Sequence, residues 1–239
     1  MKTFLFLFFL TLPLFAGESF STSKKELRKI YQGHQETLYC GCKFNYKDKK
    51  YMINKKSCGY EPRLPLTRKG KVNQRAKRIE WEHLIPAENF GRQFKCWREG
   101  AAKCVTSKGK RYKGRKCCTK VNKKYRLMQA DMHNLFPAIG ELNGDRKNFR
   151  FDFEEAQATQ YGECKFSVDF KQKRASVKKE LRGVIARNNL YFHRHYGMKL
   201  SKQEMKKYKA WNKQYKANTW EVERNKKIKK VQGNSNPFI

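Results

Sequence analysis

Eight cysteines in a chain that opens with an export signal constrain this sequence more than any other feature. Met1-Lys2-Thr3 leads into an apolar run from Phe4 to Phe15, broken only by Thr11 and Pro13, and small residues follow at Ala16 and Gly17. A basic start, a short apolar stretch and a small-residue exit make residues 1–16 a secretory signal peptide. The run falls short of the about 20 residues that a bilayer-spanning helix needs, and no later segment approaches that length. The mature chain, 17–239, is therefore expected to be a single soluble domain, a monomer without a membrane partner, in the periplasm or outside the cell.

In such a compartment an even cysteine count favours up to four disulfides. Zinc is the rival, because Cys40-Gly41-Cys42 and Cys117-Cys118 bring thiols close together. Neither has the Cys-x-x-Cys spacing that lets two thiolates share one tetrahedral ion. Disulfides are expected, with no free catalytic thiol. Their connectivity is not legible from spacing alone.

Charge narrows the partner. Lys and Arg number 56 against 21 Asp and Glu, a net charge of +35. The basic residues recur from Lys24 to Lys230 instead of forming a tail, and residues 1–16 contain only Lys2 among charged groups. A body this positive attracts polyanions, of which DNA and RNA phosphates are the commonest. A membrane-surface helix would show a clean apolar face, and residues 200–231 are too interrupted by Lys for that. Mere solubility does not require so much self-repulsion.

Arg78-Ile79-Glu80-Trp81-Glu82-His83-Leu84-Ile85-Pro86-Ala87 sets a strand-like apolar segment against a carboxylate and an imidazole, then ends it with proline. Glu82 offers a hard oxygen that suits Mg²⁺ or Ca²⁺, and His83 is the side chain best able to take a proton near neutral pH. Together they point to metal-assisted hydrolysis. A surface carboxylate beside a structural histidine is the bland alternative for such a pair taken alone.

Elsewhere, Ser23 with Glu26 suggests a capping box for a helix from Lys24 to about His34. Residues 51–53 and 79–85 read as strands, and residues 152–161, 176–196 and 201–220 as helices. The class expected is α+β, rich in helix, with a small sheet carrying Glu82 and His83. Residues 103–116, rich in Lys, Gly and Arg between cysteines, read as a tethered exposed loop.

A second polar segment runs from Asp131 through His133, Asn134, Pro137, Glu141 and Asn143 to Arg146. Amides, carboxylates and a histidine around Pro and Gly are characteristic of loops that carry sites. The motifs Glu-Trp-Glu-His-x-x-Pro-Ala at 80–87 and His-Asn-Leu-x-Pro-Ala-x-Gly-Glu-x-Asn-Gly-Asp-Arg at 133–146, with the ending at 231–238, resemble bacterial endonuclease I. That is a family of periplasmic or secreted nonspecific nucleases, and the resemblance runs collinearly along the chain. It implies a ββα-metal (His-Me finger) site in a mainly helical fold. It also implies Mg²⁺, with Ca²⁺ or Mn²⁺ as substitutes, and cleavage of DNA and RNA to 5′-phosphates.

By that resemblance His83 is the general base, and Glu82 and Asn143 are the metal ligands. Asn134, Pro137 and Asn143 reproduce the family's spacing, which leaves Asn134 a structural turn residue and Glu80 a supporting one. Activity is then expected to fall on acidification through the histidine range. Family members place a phosphate-holding Arg shortly before the second cysteine of the segment matched to Cys96–Cys104. Gly100-Ala101-Ala102-Lys103-Cys104 stands there instead, so Lys103 is the expected catalytic cation, with Arg98 and Arg146 as alternatives. The rival class is a secreted cationic protein that coats nucleic acid or anionic polymers without cutting them.

Overall fold

A computed structural model describes residues 19–48, 50–157 and 160–239; the signal peptide assigned to residues 1–16 lies outside them. In chain order come α1 (Phe20–Ile30), β1 (Phe44–Asp48), β2 (Lys50–Ile53), β3 (Ile79–His83), α2 (Ala87–Gly91), α3 (Lys95–Arg98), α4 (Arg115–Val121) and α5 (Lys123–Ala130). Then follow β4 (Leu135–Ile139), α6 (Gly140–Arg146), β5 (Arg150–Glu155), β6 (Gln160–Glu163), β7 (Phe166–Asp169), β8 (Arg174–Val177), α7 (Leu181–Tyr196), α8 (Lys202–Gln214) and α9 (Thr219–Gln232). The fold is mixed and mainly helical, with β1–β2, β3–β4 and β5–β8–β7 as small separate sheets.

The central pair is β3 and β4, antiparallel from Ile79 opposite Ile139 to His83 opposite Leu135. β4 is buried along its whole length and runs directly into α6. A strand, a second strand and a short helix thus stand together at the middle of the molecule. Ile79 and Trp81 pack with Tyr31, Leu135 and Ile228 in one apolar cluster, while Ala138, Ile139 and Leu142 join the largest cluster with Phe166, Ile185 and Trp211.

Four disulfides link Cys40–Cys164, Cys42–Cys58, Cys96–Cys118 and Cys104–Cys117, and no cysteine is free. The oxidised reading holds and the zinc reading does not. The last two bridges, with Phe90, Tyr125 and Phe192, form a third cluster under α3, α4 and α5. No helix among the described residues is long and apolar enough to cross a membrane.

Several expected boundaries moved. α1 starts at Phe20 because Ser19 is its N-cap, accepting from the Thr22 amide at 3.1 Å; Ser23, buried, donates to the Ala130 carbonyl instead. Of the span expected as a helix over 152–161, residues 152–155 and 160–161 lie in strands. Phe149, Phe151 and Phe153 alternate with polar residues, a period of two that fits β5 on its parallel partner β8. Ser176 and Val177 belong to β8, so α7 begins only at Leu181. The helix expected over 201–220 breaks near Tyr215, since Asn218 caps a new helix by accepting from the Glu221 amide at 2.8 Å.

Candidate active site

β3 lines a cleft of about 470 Å³ that also receives Asn143 from α6, Phe20 and Lys24 from α1, and Arg115 from the start of α4. Glu80, Glu82, His83 and Asn143 are its acidic, imidazole and amide groups, and Arg28, Arg78 and Lys147 add positive charge to its walls. The segments singled out in sequence, 78–87 and 131–146, meet here because β3 and β4 pair and α6 follows β4 without a loop.

Glu82 is buried. Its Oε1 accepts from the Arg146 guanidinium at 2.6 Å and from the Tyr39 hydroxyl at 2.9 Å. Arg146 is equally buried and also donates to the His83 and Leu84 carbonyls, so it ties the carboxylate to the end of the strand. Burial pushes the Glu82 carboxyl above its ordinary range, opposed by Arg146 and the Tyr39 hydrogen bond. Tyr39, itself raised well above the usual phenol value by burial, remains a proton donor. Glu82 Oε2 has no hydrogen-bond partner. A buried carboxylate oxygen left in that state is costly unless something else satisfies it, and a divalent cation is the natural complement.

Asn143 could offer a second oxygen. Its Nδ2 donates to Glu80 Oε2 at 2.9 Å, which leaves Oδ1 as the end of the amide open to a cation. Glu80 is held in turn by Arg75 and Arg78. The helix carrying Asn143 can approach this cluster because Gly140 has no side chain; a Cβ there would sit 2.9 Å from both the Arg75 carbonyl and Glu80 Oε1. Among the described residues no group of three His, Cys, Asp or Glu side chains converges on one point. The oxygens that could hold a cation here are one carboxylate and one amide, a sparse hard set of the kind that suits an ion keeping most of its water.

His83 Nε2 lies 2.8 Å from the Gln129 carbonyl. A carbonyl only accepts, so Nε2 carries the proton and Nδ1 keeps a lone pair in the neutral ring. Phe20 stacks on the imidazole at 4.9 Å between ring centroids. Burial, and after it the nearby Arg115, push the His83 pKa down to about 3. His83 is thus neutral throughout the ordinary histidine range, and the acid limit expected from it moves to lower pH.

Arg115 is a cleft-lining cation that the sequence analysis did not single out. Lys103 sits on an exposed turn before Cys104 and does not line the cleft, whereas Arg115 does. Cys96 pairs with Cys118, not Cys104, so the cysteine that closes its loop is preceded by an arginine after all. Arg115 donates to Gln129 Oε1 at 3.4 Å and lies over the Phe20 ring. Arg146 is committed to Glu82, and Arg98 donates to the Arg92 carbonyl away from the cleft. Asn134 is a clamp: it accepts from the Ile85 amide and from Asn188, and donates to the Ile85 carbonyl.

The endonuclease I family model matches residues 19–239. The chain belongs to the endonuclease I family. An extracellular deoxyribonuclease of Aeromonas hydrophila is 46% identical over 223 residues, which cover 93% of this chain and 88% of that relative. A periplasmic deoxyribonuclease of the same species is 46% identical over 230 residues, 95% of this chain and 88% of the relative. Endonuclease-1 of Buchnera aphidicola (Acyrthosiphon pisum) is 40% identical over 222 residues, 93% and 80% respectively. Similarity to this family therefore spans the cleft and all four disulfides.

Proposed function

We infer that this endonuclease I family member is a periplasmic or secreted nonspecific endonuclease that hydrolyses DNA phosphodiesters, with RNA as a second substrate and 5′-phosphate products. The observation that carries the inference is the buried, unpartnered Glu82 Oε2 in the same cleft as Asn143 and a neutral His83. The antiparallel pairing of β3 with β4, which runs directly into α6, supports a ββα-metal site. Residues 1–16 as a cleaved signal peptide and 17–239 as one nuclease domain complete this reading, with the chain acting as a monomer.

Glu82 and Asn143 would hold Mg²⁺, or Ca²⁺ or Mn²⁺ in its place, and the ion would supply Lewis-acid stabilisation of the charge that develops on the scissile phosphate. His83 takes the proton of the attacking water at Nδ1, while the Gln129 carbonyl holds Nε2–H and so fixes the ring. Arg115, in the role first expected of Lys103, grips the phosphate with a planar guanidinium and offsets the negative charge that grows there. Arg146 favours the ionised form of Glu82 against its burial and orients the carboxylate. Contacts to phosphate and sugar carry no sequence information, which accounts for nonspecific cleavage by so basic a body.

Supercoiled plasmid incubated with the oxidised protein and Mg²⁺ should be nicked and linearised, and EDTA should stop the reaction. Retarded but uncut plasmid in both lanes would assign the chain to the non-catalytic cationic binders.

A further inference from the structure

Two exposed loops of this chain repeat one another. Residues 67–71 and 106–110 both read Thr-x-Lys-Gly-Lys. The Gly70 amide donates to the Thr67 carbonyl at 2.9 Å and the Gly109 amide to the Thr106 carbonyl at 3.0 Å. Each threonine amide then closes the loop on the second lysine's carbonyl, Thr67 to Lys71 at 2.7 Å and Thr106 to Lys110 at 2.9 Å. Bridges of Leu66 with Val72 and Val105 with Arg111 seal the two necks. Both glycines are left-handed, at φ +67° and +75°, which the turn needs. One five-residue sequence makes one hairpin tip twice, each time with exposed lysines on either side of the glycine.

Both tips are fastened to the cleft. Under the first, buried Glu141 accepts from the Arg63 and Leu64 amides at 3.1 and 2.9 Å and from the Asn73 side chain at 3.2 Å, so it holds both legs. Glu141 lies in α6, two positions from Asn143. Under the second, the Tyr112 amide donates to the Cys104 carbonyl at 2.9 Å, and Cys104 is bridged to Cys117, two positions beyond Arg115. The roots stand at opposite ends of β3. The first hairpin feeds into Ile79, while Arg115 meets Gln129, whose carbonyl holds His83. Four residues of strand separate those ends by about 13 Å.

Charge identifies the occupant. No acidic residue occurs between Glu61 and Glu80 or between Glu99 and Asp131. Solvation alone does not call for a buried carboxylate beneath one tip and a disulfide beneath the other. The first hairpin also exposes Leu64, Leu66 and Val72, but the second has no counterpart among the exposed large apolar residues, so the chemistry the two share is cationic. Resting on the nuclease reading of the cleft, we propose that the two Lys-Gly-Lys tips are paired grips for the phosphate backbone of a nucleic-acid duplex, one on each side of the scissile phosphate.

The test measures binding of the oxidised, signal-free protein to a duplex of about three helical turns, in EDTA, across a range of salt. Lys69→Ala/Lys71→Ala and Lys108→Ala/Lys110→Ala should each lower the log–log salt slope by up to about 1.8, two contacts at about 0.9 each, and the fourfold variant should lower it by about twice that. Melting temperatures should match wild type, since all four side chains are exposed. An unchanged slope in the fourfold variant overturns the proposal, and wild-type nicking with Mg²⁺ would leave the nuclease reading standing. Absence of nicking by wild type would remove that reading, while the slope, read without metal, still reports on the tips. Loss of binding to anionic phospholipid vesicles with the DNA slope unchanged would assign the tips to a membrane surface and equally overturn the grip.

Discussion

Asn143 donates its amide to Glu80 at 2.9 Å, so the Glu80 carboxylate decides which end of Asn143 faces the cleft. Asn143→Ala should therefore raise the Mg²⁺ concentration for half-maximal cleavage steeply, and Glu80→Ala should raise it by about tenfold through the freed amide. Glu80→Gln, which keeps an acceptor, should be nearly silent. Metal titrations of plasmid nicking measure all three. Glu82→Ala is a poorer probe, because it also strands Arg146 as a buried unpaired charge.

His83→Ala should lower single-turnover cleavage by about 10²–10⁴ while leaving nucleic-acid binding in EDTA close to wild type. The imidazole acts on water, and the phosphate contacts belong to other residues. Cleavage within threefold of wild type would move the base elsewhere.

Arg115→Ala should reduce turnover by about 10²–10³ with a smaller effect on binding, since a cation at the scissile phosphate acts chiefly on transition-state charge. Lys103→Ala should leave turnover unchanged. Parallel rate and filter-binding measurements separate the two, and the reverse pattern would return the role to Lys103.

Reduction should unfold and inactivate the protein. Each bridge contributes about 2–4 kcal/mol against a net stability of about 5–15 kcal/mol. Cys40–Cys164 spans 124 residues and Cys104–Cys117 only 13, so removing the first pair by alanine substitution should lower the denaturation midpoint more than removing the second. Urea titrations of the two double variants measure the order.

His133 is buried, with Nε2 against the Asn234 carbonyl, and burial holds its pKa below the ordinary 6.5 even though Asp131 opposes the shift. As pH falls below 6.5 the unfolded chain takes up this proton before the folded one does. The stability contributed by the neutral ring is complete above 6.5 and is lost on further acidification. His133→Gln should reduce the drop in melting temperature between pH 7.5 and 5.5 by at least about 2 °C.

Local chemistry was legible in the chain by itself. Oxidised cysteines and a basic body suited to a polyanion follow from residue type and count, and Glu82 and His83 stand out as an acid and a base at one strand end, while Asn143 joined them only through the resemblance to endonuclease I. The strand at Ile79 was legible too, because alternation and a terminal proline are local signals. Spacing failed where two periods overlapped. Phe151 and Phe153 fit a helix only until β8 offers a partner strand, and Val177 matched the helical stripe of α7 although it belongs to β8.

Only the tertiary structure decided the long-range choices. Disulfide partners depend on which thiols the fold brings together, and the fold sets Arg115 on the cleft wall while Lys103 lies outside it. The Glu82–Arg146 pair, the Gln129 carbonyl that fixes the His83 tautomer and the descent of the His83 pKa to about 3 arise from burial. Desolvation and directed hydrogen bonds are properties of a three-dimensional neighbourhood, assembled here from residues 46 to 64 positions apart, and sequence adjacency does not encode them.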